Sequence, residues 1–251
     1  MRVVVAPDYE ALTLVAAKFI AEAIAEKPGL VLALPTGNTP LGVYRRLVMM
    51  NRHGEVSFSR VTTFNLDEYI GLGTQHPLSF RVYMKEHFFG LVDIDPARVH
   101  LPDGLALDPE AEGRRYEAEI AKAGGLDLAV LGIGLNGHIG FNEPGSSFDS
   151  RTRPVTLSRE TMIGLQAGRP PEGTSNGQGS ARVFPMSGLT VGIATIMEAK
   201  RLLLLASGEV KAAAVTRALD GPISKDFPAS VLQRHANVTV LVDREAAIDL
   251  D

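Results

Sequence analysis

Short runs of Val, Leu and Ile alternate with stretches of helical composition along almost the whole chain, and this alternation is the strongest constraint on its fold. In the intervening stretches, apolar residues recur at three-to-four spacing, as Leu12, Ala16 and Phe19 do, which indicates amphipathic helices. Strands that are apolar throughout are buried on both faces. The alternation therefore predicts an α/β fold with a doubly wound, mostly parallel, Rossmann-like sheet and helices on both faces. The predicted strands are residues 3–6, 30–34, 61–65, 126–131, 201–206 and 238–242.

Composition narrows the classes of function. The chain has 251 residues and a formal net charge of −4, which suits one domain over residues 1–251. It contains no cysteine, so disulfides, thiolate nucleophiles and cysteine metal sites are excluded. Basic residues occur in pairs at most, which argues against a nucleic-acid partner. Since no apolar run approaches the length of a membrane helix, we expect no membrane contact and a cytoplasmic protein.

Residues 164–185 interrupt the alternation. This segment is rich in glycine and has no apolar periodicity, so it is interpreted as a long loop. Loops longer than about 12 to 15 residues are usually functional lids or linkers, and both interpretations stay open. We treat the segment as a candidate for a mobile lid loop. Because ligands of open α/β sheets bind beyond the carboxyl ends of the strands, chemistry is sought in the residues that follow each run.

The first such segment, residues 34–40, follows the second predicted strand. Gly37 permits a tight turn, Thr39 is a typical N-cap, and Pro40 suits the first position of a helix. Backbone N–H groups at such a helix start form a site for an anion such as phosphate. A capped helix without a ligand is the alternative.

Two adjacent acids, Asp67 and Glu68, follow the third predicted strand. Carboxylates in this position can act as a general base, as metal ligands or as helix caps. The pair alone favours capping. The nearby residues 76–79 are interpreted as a turn that leads into a helix at residues 80–88.

The glycine-rich segment 131–145 carries the strongest signal. It contains five glycines, and His138 and Glu143 lie among them. Glycines let the backbone approach a ligand closely, while a histidine displayed there can transfer protons near neutral pH. Glu143 is placed to hold the imidazole by a hydrogen bond and to favour its charged form. No two-histidine spacing of a metalloenzyme occurs, so a catalytic metal is disfavoured.

A further segment, residues 207–211, follows the fifth predicted strand and ends in Lys211. A lysine at a helix start opposes the helix dipole, which suggests that it pairs with an anion drawn to that end. A solvated lysine is the alternative.

Taken in order, these segments resemble the glucosamine-6-phosphate deaminase (isomerase) family over nearly the whole chain. The glycine–histidine–glutamate segment is the most specific, whereas 6-phosphogluconolactonases share the phosphate loop. The segments that carry the resemblance are LPTGNTPLGVYRRL, TTFNLDEYIGL with HPLSF, LGIGLNGHIGFNEPGSSFDSRTR, LTVGIATIMEAK and ASGEVKAAAV.

The resemblance implies conversion of glucosamine 6-phosphate and water to fructose 6-phosphate and ammonia, without a metal or an organic cofactor. The implied partner is a small phosphorylated amino sugar, and a homo-oligomer is compatible with it. By resemblance, Asp67 would move a proton between sugar C2 and C1, and His138 would open the ring. Asn136 and Glu143 would orient His138. The implied substrate and phosphate contacts are Gly37, Asn38, Thr39, Glu68, Gly137, Arg169 and Lys211.

The chain departs from the family pattern at three positions. Many members carry an aspartate where this chain has Asn136, so we expect a lower pKa for His138 than an aspartate neighbour would give. The arginine of the family's lid has no clean counterpart, and Arg169 is the candidate replacement. Val155 occupies the position of a lysine found in allosteric members, which argues against activation by N-acetylglucosamine 6-phosphate.

Two alternative functions remain at this stage. One is hydrolysis of 6-phosphogluconolactone with the same phosphate loop, against which the acid pair and the spacing of His138 and Glu143 count. The other is a sugar-phosphate-binding regulator without turnover. Glucosamine 6-phosphate and galactosamine 6-phosphate are not distinguished by these motifs.

Overall fold

The computed structural model describes residues 1–167 and 185–250. Strands and helices alternate along these residues as predicted. The strands are β1 (Arg2–Ala6), β2 (Val31–Leu34), β3 (Thr62–Asn65), β4 (Asp67–Tyr69), β5 (Val99–His100), β6 (Leu128–Gly132), β7 (Arg153–Thr156), β8 (Ser187–Thr190), β9 (Arg201–Ala206) and β10 (Val238–Asp243). The α-helices are α1 (Tyr9–Glu26), α2 (Asn38–Arg52), α3 (Phe80–His87), α4 (Pro109–Lys122), α5 (Arg159–Ala167), α6 (Ile193–Met197) and α7 (Ala212–Asp220).

Seven strands form a parallel sheet in the order β1-β10-β9-β6-β2-β3-β5. All six strands predicted from the apolar runs belong to it. The chain proceeds from β2 through β3 to β5, then returns to the other side of β2 with β6, β9 and β10. The strand order therefore reverses between β2 and β6. In doubly wound sheets this reversal opens a crevice at the carboxyl ends of the two strands.

Both faces of the sheet are buried. Along β2, Val31 and Ala33 belong to one apolar cluster, while Leu32 and Leu34 belong to the other. Side chains of α4, α6 and α7 cover the first face, and side chains of α1, α2 and α3 cover the second. This two-sided cover confirms the predicted doubly wound class and explains why the strands are apolar throughout. Among the described helices, none is long and apolar enough to cross a membrane.

A second, antiparallel sheet of three strands, β4-β8-β7, was not predicted. Its strands are three or four residues long and mix polar residues with single buried apolar ones such as Tyr69 and Leu189, so they lack the apolar runs of the main sheet. Asp67 is the first residue of β4 and lies opposite Thr190 of β8. A separate apolar cluster around Tyr69, Phe80 and Phe141 packs beneath it. The small sheet thus fixes the backbone that carries Asp67.

Two predicted boundaries are wrong. Helix α2 begins at Asn38, so its N-cap is Gly37 rather than Thr39, and Pro40 lies within the first turn. Gly37 adopts a φ of 111°, which a residue with a side chain rarely reaches. Helix α5 extends through Ala167, so the first four residues of the predicted loop 164–185 are helical. The remainder of that candidate lid, residues 168–184, lies outside the described residues.

Candidate active site

A cavity of about 590 Å³ lies at the carboxyl ends of β2 and β6, where the strand order reverses. It brings together the phosphate loop, the Asp67 carboxyl group, the His138 imidazole and Lys211, which are distant in sequence. Asp67 and His138 therefore face one space, as a shared substrate requires. The described lining residues are 35–40, Asp67, Phe80, 132–136, His138, Gly140, Phe141, Glu160, Thr161, Val210 and Lys211.

The loop between β2 and α2 forms one wall of the cavity. Gly37, Asn38 and Thr39 all line it, as predicted for an anion site. Gly37 has no side chain to cap α2, so the first N–H groups of this helix donate no hydrogen bond to an N-cap side chain. Such N–H groups and the helix dipole favour a bound anion.

Asp67 is buried, and only 5% of its surface is exposed. Its Oδ1 atom has no hydrogen-bond partner among the described residues. Burial, assisted by the charge of Glu68, raises the pKa of Asp67 to about 8. A buried carboxyl group with a free oxygen and a pKa near neutrality is typical of a proton-transfer group.

The glycine-rich bend approaches Asp67 at Gly140. A Cβ atom added there would lie 3.6 Å from Asp67 Oδ2 and 3.0 Å from Thr190 Oγ1, and Gly140 has a φ of +56°. A side chain at this position would therefore strain the backbone and crowd the Thr190 hydroxyl, while its Cβ would make an ordinary van der Waals contact with the Asp67 carboxyl group.

Glu68 serves a different purpose from the predicted substrate contact. Its side chain is not among the cavity-lining residues described. Its Oε1 accepts hydrogen bonds from the N–H groups of Tyr69 and Phe80 at 2.8 and 2.9 Å. Its Oε2 accepts from the N–H of Arg81 at 3.0 Å. Both oxygens are therefore occupied, and Glu68 caps the first turn of α3, the alternative that the acid pair alone favoured.

His138 is held by Asn136, and not directly by Glu143 as predicted. Asn136 Nδ2 donates to Glu143 Oε2 at 2.8 Å, and Asn136 Oδ1 lies 2.8 Å from His138 Nδ1. The distance from His138 Nδ1 to Glu143 Oε2 is 3.8 Å, which is too long for a hydrogen bond. Because a carboxylate only accepts, the amide must turn its NH₂ group towards Glu143 and its oxygen towards His138. Nδ1 therefore carries the proton of the neutral ring, and Nε2 is left as the proton acceptor.

The charge state of His138 follows from its surroundings. Burial lowers the pKa of His138, the negative charge of Glu143 opposes this effect, and the positive charge of Lys211 reinforces it. Burial raises the pKa of Glu143, but hydrogen bonding to Thr161 and the nearby imidazole outweigh it and lower that pKa overall. At neutral pH the pair is therefore a neutral imidazole beside a carboxylate.

Sequence reasoning missed Ser158 and Thr161, which complete this network. Thr161 Oγ1 lies 3.2 Å from His138 Nδ1, and the Ser158 N–H donates to Glu143 Oε1 at 3.2 Å. Both residues belong to the start of α5, about twenty residues after His138. Nothing in the sequence near them signals this contact, because it arises only when α5 folds back over the glycine-rich bend.

Lys211 reaches the cavity from the 3₁₀ turn that precedes α7. Its Nζ donates to the carbonyl oxygen of Ile133 at 2.7 Å, and burial lowers the pKa of Lys211. Gly137, in contrast, is not among the described lining residues. A Cβ atom at Gly137 would lie 2.5 Å from the Phe227 ring, so this glycine allows the bend to pack against that ring, and its contact with substrate stays a prediction. Arg169, the predicted lid arginine, lies outside the described residues.

Arg153, opposite Thr190 in the small sheet, is not among the described lining residues of the cavity. Its guanidinium donates to Asn142 Oδ1 at 2.9 Å and to Ser146 Oγ at 3.1 Å. Among the described residues, no group of three or more His, Cys, Asp and Glu side chains is arranged to hold a metal ion.

Comparison with known proteins agrees with this architecture. The chain matches the family described as Glucosamine-6-phosphate isomerases/6-phosphogluconolactonase over residues 9–241. It is 48% identical over 253 residues to glucosamine-6-phosphate deaminase 1 of Bacillus subtilis, covering 98% of each chain. It is 45% identical over 247 residues to the glucosamine-6-phosphate deaminase of Thermoanaerobacter pseudethanolicus, covering 98% of this chain and 94% of that protein.

Solved structures give the same result. A monomeric glucosamine-6-phosphate deaminase is 46% identical, with a TM-score of 0.89 and 99% of each chain covered. The 6-phosphogluconolactonase of Trypanosoma brucei shares the fold at 23% identity, with a TM-score of 0.72, 100% of this chain and 98% of that chain covered. With its cavity at the reversal of the strand order and its similarity to these proteins over nearly the full length, the chain belongs to the glucosamine-6-phosphate isomerase/6-phosphogluconolactonase family.

Proposed function

We propose that this enzyme converts glucosamine 6-phosphate and water to fructose 6-phosphate and ammonia, as a single domain that needs no metal or organic cofactor. One observation carries the proposal: the Asp67 carboxyl group, with one oxygen free of partners in the described structure, shares a cavity with the neutral His138 imidazole. Relatives at 45 to 48% identity that carry the deaminase name support the substrate class.

The phosphate end of the substrate belongs at the start of α2. There the backbone N–H groups of the loop at Gly37 and Asn38 and the helix dipole attract an anion, and Lys211 lines the same cavity. The contacts with the phosphate lie away from the reacting carbons. They orient the sugar and take no part in the chemistry.

Proton transfer at the reacting carbons of the sugar is assigned to Asp67 and His138, which line the same cavity. His138 accepts the proton of the anomeric hydroxyl at Nε2 and returns one to the ring oxygen, which opens the ring. Asp67 in its ionised form removes the proton from C2 and delivers one to C1, converting the amino aldose into a ketose imine. Water then replaces the nitrogen and ammonia leaves. A base with a pKa of about 8 is well matched to such a transfer near neutral pH.

Asn136 and Glu143 act through His138. Their hydrogen bonds fix the protonated nitrogen of the ring, so that Nε2 keeps its lone pair. Positioned acids and bases of this kind each accelerate a reaction by roughly 10² to 10⁴.

The test is an assay of the purified protein with glucosamine 6-phosphate, galactosamine 6-phosphate and 6-phosphogluconolactone, without added metal. We expect ammonia and ketose phosphate from an amino sugar. Ammonia from neither amino sugar would overturn the proposal, and hydrolysis of the lactone alone would favour the second enzyme of the family.

The Asp67→Asn variant tests the assignment of the base. It should lose exchange of the C2 hydrogen with solvent, with kcat lower by at least about 10³, yet bind inorganic phosphate as the unaltered protein does. Asp127→Asn is the matched control. Asp127 is also buried, but it directly precedes β6 and so lies at the amino ends of the strands, away from the cavity at their carboxyl ends. Unchanged exchange in Asp67→Asn would show that another group is the base.

A further inference from the structure

Tyrosine hydroxyl groups from three different helices contact the backbone of the phosphate loop. Tyr9 opens α1, Tyr44 lies in α2, and Tyr83 lies in α3. The contacts run from Tyr44 to the carbonyl of Pro35, from Tyr83 to the carbonyl of Gly37 at 2.6 Å, and from Tyr9 to the carbonyls of Asn38 and Thr39 at 3.2 and 3.0 Å.

The direction of these carbonyl groups matters because the same loop lines the cavity. Each of these carbonyl groups is directed at a tyrosine hydroxyl, and none of the three tyrosines is among the described lining residues of the cavity. In a trans peptide the N–H points opposite to the C=O, and the described chain has no cis peptide bond. The N–H groups of Thr36, Asn38 and Thr39 therefore lie on the side of the backbone opposite to the tyrosine hydroxyls that hold the carbonyls of Pro35, Gly37 and Asn38.

The orientation of these peptide planes affects how strongly the loop attracts a phosphate group. A carbonyl oxygen directed at a phosphate would repel it, whereas an N–H group attracts it. Gly37, the N-cap of α2, can adopt several backbone conformations, so the peptide planes just before the helix could turn either way. A hydroxyl donor behind each carbonyl removes that freedom before the ligand arrives, which reduces the ordering cost of binding.

The packing of the helices is fitted to these contacts. The Gly42 N–H donates to the Tyr9 hydroxyl at 3.0 Å, and a Cβ atom on Gly42 would lie 2.7 Å from that hydroxyl. Tyr44 is 1% exposed, and its ring stacks on Phe88 with centroids 5.0 Å apart. The α1 and α2 helices thus approach closely where Tyr9 reaches the loop.

We propose that Tyr9, Tyr44 and Tyr83 are positioning residues that orient the peptide planes of the loop at residues 35–39 for an anionic phosphate group. They touch neither substrate nor reacting atoms. The inference rests on the proposed function, because it assigns the phosphate of the substrate to this loop.

The test uses Tyr83→Phe and Tyr9→Phe, which remove one hydroxyl each from half-buried side chains. The affinity for inorganic phosphate, measured by titration calorimetry, should fall by roughly three- to tenfold in each variant. The KM for glucosamine 6-phosphate should rise by a similar factor, while kcat changes by less than about twofold, since the loop acts on binding rather than on proton transfer.

Tyr116→Phe is the matched control. Its buried hydroxyl also binds two carbonyls, those of Asn65 and His100 at 2.8 and 3.1 Å, but neither belongs to the loop. The affinity for phosphate should be unchanged in this variant. Unaltered phosphate affinity in both Tyr83→Phe and Tyr9→Phe, or an equal loss in Tyr116→Phe, would overturn the inference. Because calorimetry needs no turnover, absence of ammonia release in the unaltered protein would refute the proposed function and leave this test in force.

Discussion

Asp67 shows how one residue can be costly for the fold and suited to the chemistry. Its carboxyl group is almost fully buried, and no described group donates a hydrogen bond to Oδ1. Burying such a group without a partner costs free energy. Sites of this kind are where a protein departs from the most stable arrangement in favour of reactivity.

The free energy that burial of the Asp67 carboxyl group costs the folded protein should depend on pH. Burial raises its pKa from 3.8 to about 8. Between these values the unfolded chain loses the proton while the folded chain keeps it, so the free energy of unfolding falls as pH rises, by about 1.4 kcal/mol per pH unit. The Asp67→Asn variant has no titrating carboxyl group at this position, so its free energy of unfolding does not fall with pH for this reason. Its gain in melting temperature over the unaltered protein should therefore increase from pH 5 to pH 8 in thermal unfolding experiments.

Asp127→Asn is the control for this experiment, and its stability difference from the unaltered protein should not vary between pH 5 and pH 8. Burial raises the pKa of Asp127, but hydrogen bonds from Lys27 and Lys200 outweigh burial and lower that pKa overall. The ionised form of Asp127 already stabilises the fold fully above its unfolded-state pKa of 3.8, so the variant should be less stable than the unaltered protein by an amount that stays constant from pH 5 to pH 8. A stability difference in Asp67→Asn that does not vary with pH would contradict the assignment.

Asn136 lies in hydrogen-bond contact with the ring nitrogen of His138. Asn136→Asp would place a carboxylate where the amide oxygen now lies, 2.8 Å from His138 Nδ1. The added negative charge favours the imidazolium, so the pKa of His138 should rise by roughly one unit or more. An NMR titration of the histidine ring resonances measures it, with the remaining histidines as an internal reference. A lower or unchanged pKa would mean that Asn136 is not the group that controls the ring.

At the scale of elements, the Glu68 cap joins β4 to α3. The Glu68 side chain accepts hydrogen bonds from an N–H group of its own strand and from N–H groups in the first turn of α3, which starts twelve residues later. Ser79 caps the same helix through its own side chain, which accepts from Val82. The adjacent acids were ambiguous in sequence because this partner is brought close only by the tertiary fold.

Glu68→Gln should therefore destabilise the protein. A glutamine keeps one acceptor oxygen but turns an NH₂ group towards N–H donors, which leaves a buried donor unsatisfied. We expect a loss of about 1 to 3 kcal/mol in the free energy of unfolding, measured with urea. Glu198→Gln is the comparison, since Glu198 is an exposed carboxylate paired with Arg151 and should cost less than about 1 kcal/mol. Equal effects of the two substitutions would refute the cap.

At the scale of the whole molecule, two sheets meet at the cavity. The parallel sheet supplies the loops after β2 and β6, and the antiparallel sheet supplies Asp67 at the start of β4. The Phe141 N–H donates to Thr190 Oγ1 at 3.0 Å, which ties the glycine-rich bend to the small sheet beside Asp67. The arrangement of base and imidazole therefore depends on the contact between the sheets.

The strands of the main sheet were predictable because burial on both faces requires an unbroken apolar run, which is a local property of sequence. The small sheet was not predictable, because strands such as β4 and β7 contain Asp67, Glu68, Arg153 and Pro154 and are stabilised by pairing with β8. The helix α2 was predicted two residues short at its start, since turn preferences alone do not show that Gly37 adopts a positive φ.

By itself, the sequence determined which chemical groups are available and which loops follow the buried strands: a carboxylate, an imidazole, a lysine and a helix start suited to phosphate. Only the tertiary structure decided which of them meet. It placed Glu68 under α3, put Asn136 between His138 and Glu143, and brought Thr161 and three tyrosines to positions with no local signal. The reason is physical: hydrogen-bond partners and burial depend on neighbours distant in the chain, whereas periodicity and turn preference depend on neighbours close in it.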